Sequence, residues 1–210
     1  MLNRILNSIV LMIAKYQMRK YNQYPVISTA VVLVNVQNAF LTSPLELITK
    51  LENLITFARQ HGFQVIYAPY GSNAENPFPT PAQSQMQQQL TATKNGFDVP
   101  EKLALQDSDV VIQSRNKLSA FVETNLNSHL KNTGIEHLIF AGPLANITLD
   151  SSARDGVELG YHVTIISDCT SAATIQEKQF SIQVTFPRFV QTVVNLSDFQ
   201  RLALITKSSI

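Results

Sequence analysis

The chain holds a single cysteine, Cys169, no tryptophan and only seven glycines among its 210 residues. One cysteine excludes an intrachain disulfide and fits a reducing, cytoplasmic setting. Charge is also scarce. Charged residues make up 15% of the chain, the net charge is +1, and Lys and Arg form no basic stripe. A nucleic-acid partner is therefore not expected. The four histidines, His61, His129, His137 and His162, are scattered without metal-ligand spacing and read as surface or helix-end residues. No metal and no cofactor is expected.

Acidic residues are missing altogether before Glu46, whereas "MLNRILNSIVLMIAKYQMRKYNQYP" carries Arg4, Lys15, Arg19 and Lys20. The apolar stretch from Ile5 to Ala14 is about half of the roughly 20 residues a membrane span requires. It lacks an A-x-A cleavage pattern, so it does not read as a signal peptide. Three readings stay open: a packed helix, an interfacial anchor that associates with a membrane through residues 1–20, and a targeting sequence. Residues 1–25 are thus set apart as a basic, apolar helical extension, and residues 26–210 as one domain.

Within that domain apolar patterning is plentiful. Residues are 45% hydrophobic, enough for a sizeable core. "TAVVLVNVQNAF" (29–40) is a continuous β-branched run, the pattern of a buried parallel strand. "SPLELITKLENLITFARQHG" follows as an amphipathic helix, with Ser43 as cap, Pro44 in its first turn and Gly62 at its stop. "FQVIYAPYG", "DVVIQS", "IEHLIFAG" and "YHVTIISD" are further strands, and "RFVQTVVNL" is strand-like. "AFVETNLNSHLKNTG", "TLDSSARDGVELG", "TIQEKQFSIQVTF" and "SDFQRLAL" read as helices. A long Pro-, Gln- and Asn-rich segment over 72–103 reads as a loop serving as a lid or binding segment. This alternation predicts a three-layer α/β/α sandwich around a mainly parallel, Rossmann-like sheet. Sites in such sheets lie at the carboxyl ends of the strands. Three stretches fall there: 35–40, 114–121 and 142–148.

The third, "GPLANITLDSSARDG" (142–156), runs from a strand into a helix, where unpaired backbone N–H groups gather. It contains no cysteine, and its hydroxyl candidates are Thr148, Ser151 and Ser152.

"LVNVQNAF", "VIQSRNKLSAF" and "AGPLANITLDSSARDGVELGYHVTIISD", in this order, resemble the motifs of isochorismatase-like cysteine hydrolases, with Ala153-Arg154-Asp155 and Gly160-Tyr161 especially similar. The resemblance covers roughly Thr29 to Ala173. It implies the isochorismatase-like fold and a mechanism in which a cysteine thiolate attacks a carbonyl or imine carbon, an aspartate acts as base and a lysine supports both. By position these roles fall on Thr148, Asn35 and Arg115, so all three depart from the family pattern. Ala39 also replaces an acidic residue frequent in the first motif. No histidine–aspartate cluster stands near residues 67–75, so the metal site of nicotinamidases is not expected. The family often carries a cis peptide before its nucleophile; if retained, it would lie near Pro143–Leu144–Ala145.

The substitutions do not compensate chemically. An asparagine amide does not titrate usefully, an arginine is effectively always protonated, and a threonine nucleophile needs an adjacent base. Asn35, Arg115 and Thr148 are therefore expected to form a polar cluster in a former active site, with Arg115 reaching Asn35, a backbone carbonyl, Asp150 or solvent. Phe40, Tyr70, Phe121, Leu144 and Ala145 are the candidates to line a vestigial small-molecule pocket. Lys117 reads as a solvated lysine, Asp155 as a partner of Arg154 or a cap, and Cys169 as a small buried hydrophobe. The expected protein lacks cysteine-hydrolase activity and acts in binding or as a homo-oligomer. The alternative is a small-molecule C–N or ester hydrolase that uses Thr148 or Cys169.

Overall fold

The computed structural model describes residues 23–41, 45–71 and 77–207. The extension over 1–22 and the caps Ser43 and Pro44 lie outside the described residues. Six parallel strands form one sheet: β1 (Thr29–Val34), β2 (Gln64–Ala68), β3 (Val110–Val111), β4 (His137–Gly142), β5 (His162–Thr170) and β6 (Thr192–Val194), in the order β3-β2-β1-β4-β5-β6. The helices are α1 (Leu45–His61), α2 (Pro81–Ala92), α3 (Leu126–Asn132), α4 (Asp150–Glu158), α5 (Ile175–Phe180) and α6 (Leu196–Lys207).

Every residue of β1 and β4 is buried, as central strands covered on both faces require. Alternate side chains then separate into two cores. Val31 and Leu33 meet Leu47, Leu51, Leu54 and Ala58 of α1 and Phe199 of α6. Ala30, Val32 and Val34 meet Leu126 and Leu130 of α3 and Ala153 of α4. The 3–4-residue spacing along α1 places its apolar stripe on the sheet. Asp168 at the end of β5 holds the start of α6, accepting from Leu196 N at 2.7 Å and from Lys50 Nζ at 2.9 Å.

Several expectations are corrected. Tyr24, assigned to the extension, is buried at 1% exposure, edge-on to Phe199 at 5.1 Å, so the core begins before residue 26. The expected loop over 72–103 contains α2, started by a capping box in which Thr80 and Gln83 each accept from the other's backbone N–H, with Pro81 in the first turn. The helix expected over 120–134 spans only Leu126–Asn132. Its first part is spent on a turn in which Thr124 Oγ1 donates to Ala120 O and Glu123 takes φ 58°. His137 is buried rather than superficial. Its ring lies 4.8 Å from that of His162 on the adjacent strand, tilted by 31°, because β4 and β5 pair these two residues in register. Arg154 pairs with Asp150, not Asp155, and lies over the Phe189 ring at 4.3 Å. Among the described residues every peptide bond is trans; the position expected for a cis bond instead has Leu144 in the left-handed region at φ 60°. No described helix is long and apolar enough to cross a membrane.

Candidate functional site

The sheet order reverses direction between β1 and β4, and the crevice outside their carboxyl ends is where doubly wound sheets bind ligands. Asn35 follows β1, and the turn Gly142–Leu149 follows β4. Arg115 follows β3 and bridges to Tyr70 beyond β2. Three strand ends therefore deliver Asn35, Arg115 and Thr148 to one point. Asn35 Nδ2 donates to Thr148 Oγ1 at 3.1 Å, and Arg115 Nη2 donates to Asn35 Oδ1 at 3.2 Å. Asn35 and Thr148 are fully buried and Arg115 is 1% exposed.

Asn35 sits at φ 57°, a left-handed conformation that asparagine tolerates better than most side chains. Its backbone is held by Asn35 N donating to Ala68 O at 3.1 Å and by Gln37 N donating to Asn35 O at 2.8 Å.

Arg115 is charged and has no carboxylate partner among the described residues. Each of its five N–H groups has an acceptor: Nε reaches Ser119 O (2.8 Å), Nη1 reaches Ala68 O (3.1 Å) and Pro69 O (2.7 Å), and Nη2 reaches Leu118 O (3.3 Å) as well as Asn35. Burial pulls its pKa down to about 9, which leaves the guanidinium charged at neutral pH. A lysine ammonium has only three donors and no planar fork, so it could not satisfy the same cage.

Thr148 lies in a π-helical turn, Ala145–Leu149, that leads into α4. Gly142 at its head takes φ 136°, and a Cβ there would meet Val34 O at 2.1 Å. Only glycine permits this approach of the turn to β1. Thr170 Oγ1 donates to Gly142 O at 2.7 Å, and Ala145 N donates to Ser171 O at 2.7 Å, fixing the turn against β5. Ser152 donates to Thr148 O at 2.6 Å and accepts from Ala120 N at 2.9 Å, joining the turn to the loop after Arg115. Ser151 donates back to Ile147 O in the turn at 2.8 Å. Among the described residues no carboxylate or imidazole reaches the Thr148 hydroxyl. The amide beside it donates a proton rather than accepting one, so it offers the hydroxyl no general base.

A strap of residues 81–98 packs against the residues that flank this cluster. Met86 and Leu90 of α2 join Ala39, Phe40 and Tyr70 in a third apolar cluster, with Leu144 packed against it. Phe40 and Tyr70 meet edge-on at 6.2 Å. The fully folded-in amide of Gln37 clamps the strap: Nε2 donates to Tyr70 O (2.9 Å) and Phe97 O (3.2 Å), and Oε1 accepts from Tyr70 N (2.8 Å). Sequence reasoning missed Gln37, Met86 and Leu90. The Thr80-Pro81-Gln83 cap was the available signal for the helix that carries two of them.

Phe40, Tyr70 and Leu144 thus gather beside the three polar positions. Phe121 and Ala145 do not join that cluster. Phe121 stacks on Tyr161 at 6.0 Å beneath the other core, to which Ala145 also belongs. Lys117 pairs with Glu123 at 3.4 Å on the surface. Cys169 is buried in the core facing α1, its thiol directed to Lys50 O at 3.5 Å. Burial above all, then Asp168, pushes its pKa up, which suppresses the reactive thiolate. Two clefts among the described residues lie elsewhere. One of about 600 Å³ is bordered by Gln64, Arg59 and Ile135 at the opposite end of the strands, and one of about 510 Å³ lies outside the turn between Asn146, Asp150 and Phe180. Neither is lined by Asn35, Arg115 or Thr148.

Comparison with known proteins agrees with this architecture. Ureidoacrylate amidohydrolase RutB of Caulobacter segnis is 25% identical over 205 residues, covering 82% of this chain and 84% of that protein. The uncharacterized isochorismatase family protein YecD of Escherichia coli O157:H7 is 30% identical over 124 residues, covering 59% of this chain and 63% of that one. A cysteine hydrolase from Pseudomonas syringae superposes with a TM-score of 0.74 at 20% identity, over 90% of this chain and 96% of that one, which shows a shared fold. The model of the isochorismatase domain matches residues 29–195, and the chain accordingly belongs to the isochorismatase family, with that family's hydrolase fold.

Proposed function

We propose that this isochorismatase-family protein does not carry out cysteine hydrolysis and serves as a binding or oligomer-forming protein. The observation that carries the reading is the closed hydrogen-bond chain Arg115–Asn35–Thr148. Every guanidinium donor is spent on a neutral oxygen, and among the described residues the only side chain bonded to the Thr148 hydroxyl is an amide that donates to it. A buried nucleophile without a base has no route to an alkoxide. The small-molecule pocket of this reading is vestigial, and Met86 and Leu90 pack with Phe40 and Tyr70, two of its expected lining residues. Self-association belongs to the same reading, supported by apolar side chains left in water such as Ile175 (71% exposed) and Phe180 (61% exposed). Light scattering on the purified chain tests it.

The second reading is a C–N or ester hydrolase with altered chemistry, favoured by the similarity to ureidoacrylate amidohydrolase over most of both chains. It would use Thr148 or Cys169. A panel of amides, ureides including ureidoacrylate, and esters separates the two, with Thr148→Ala and Cys169→Ala as controls. Turnover that either substitution abolishes establishes the second reading and removes the first.

A further inference from the structure

The strap carries an asparagine–glycine pair, Asn95–Gly96, at its tightest turn. Asn95 is exposed and sits at φ 52°. Gly96 is buried, and a Cβ there would lie 2.2 Å from Leu90 O, so this residue has to be glycine. Asn–Gly is the pairing in which a backbone amide most readily reaches the preceding side chain, because glycine adds no Cβ to block it. The turn is also the main anchor of the strap. Asn38 Nδ2 donates to Asn95 O at 3.0 Å, Ala39 N to Gly96 O at 3.1 Å and Asn38 N to Asp98 O at 2.8 Å. These bonds tie the strap to the loop that begins at Asn35.

We propose that Asn95 is a deamidation site gated by the docking of this strap. In the reaction Gly96 N attacks Asn95 Cγ. A C–N bond forms, the Gly96 amide proton passes to water or hydroxide, the Cγ–Nδ2 bond breaks and ammonia leaves. Water then opens the cyclic imide at either carbonyl, giving aspartate or an isoaspartyl linkage at position 95. Net, one water is consumed and one ammonia released. In the docked strap the attacking nitrogen is tied up, since Gly96 N donates to Thr93 O at 2.9 Å, and Asn95 O is held by both Asn38 and Asp98 N (3.0 Å). The reaction therefore requires local opening of the turn. The isoaspartyl product has one extra backbone carbon. The spacing between Gly96 O and Asp98 O that fits Ala39 N and Asn38 N then fails, and Gly96 has no room to shift toward Leu90. Ordinary aspartate keeps the backbone length and tolerates the left-handed conformation. Deamidation would thus record strap opening and, in its isoaspartyl form, prevent redocking on the loop 37–39.

The test incubates the full chain and a synthetic peptide of residues 91–99 in mildly alkaline buffer, following Asn95 by peptide mass mapping and isoaspartate by enzymatic methylation. The expected result is deamidation in the folded chain about tenfold or more slower than in the peptide. Faster hydrogen exchange over residues 81–98 is expected in the isoaspartyl form, with protection retained in Asn95→Asp. Equal rates in chain and peptide, no reaction in the peptide, unchanged exchange in the isoaspartyl form, or equal loss of protection in Asn95→Asp would each overturn the proposal.

Discussion

Asn35 donates its side-chain amide to the Thr148 hydroxyl at 3.1 Å, with both residues fully buried and 113 positions apart in the chain. The bond joins the two strand ends that flank the reversal in sheet order. Replacing Thr148 by valine keeps the shape and removes the acceptor of Asn35 Nδ2, while Asn35 Oδ1 keeps its bond from Arg115. Such an orphaned buried donor costs about 1–3 kcal/mol. Urea denaturation of Thr148→Val should show that loss. A double-mutant cycle with Asn35→Ala should yield a coupling energy of about 0.5–3 kcal/mol, as expected for residues in direct contact.

Arg115 is a structural cation. Substitution by methionine leaves the carbonyls of Ala68, Pro69, Leu118 and Ser119 without their guanidinium donor. The predicted cost is about 3–5 kcal/mol, with the greatest loss of hydrogen-exchange protection in the loop 115–124. Arg115→Lys keeps the charge but not the fork, and should cost about 1–3 kcal/mol.

Gly142→Ala would place a methyl 2.1 Å from Val34 O at φ 136°. It should destabilise the chain by more than about 3 kcal/mol. Gly134→Ala is the internal control. Its φ is 68°, but nothing stands within 4 Å, so only the left-handed backbone cost of about 1–2 kcal/mol remains. Thermal melts of the two variants should rank accordingly.

Buried His137, beside His162, gives stability a pH dependence. Burial, then the neighbouring His162, lower the His137 pKa below its ordinary 6.5, with Glu136 opposing. The folded state therefore favours the neutral ring, and the unfolded chain binds the extra proton first. By linkage, the contribution is fully present above the ordinary value and declines as pH falls below it toward the folded-state pKa. Urea midpoints should drop as pH is lowered from neutral through this window, and His137→Gln should flatten the slope.

The sequence made much of this fold legible, where a single physical pattern dominated. β1 and β4 are continuous apolar runs, and α1 repeats leucines at helical spacing up to Gly62. The convergence of Asn35, Arg115 and Thr148 followed from three strand ends in one sheet. What stayed hidden depends on groups that carry no sequence signature. The cage around Arg115 is built mostly of backbone carbonyls, and the turn over 120–124 shortens α3. The helix α2 has a glutamine-rich surface, which masked the Met86 and Leu90 stripe. The His137–His162 pair exists because two strands 25 residues apart pair in register.

The most direct measurement is hydrolysis of the amide, ureide and ester panel by the wild-type chain beside Thr148→Ala. Neither protein is expected to show turnover above the uncatalysed background. Wild-type turnover that Thr148→Ala abolishes would contradict this.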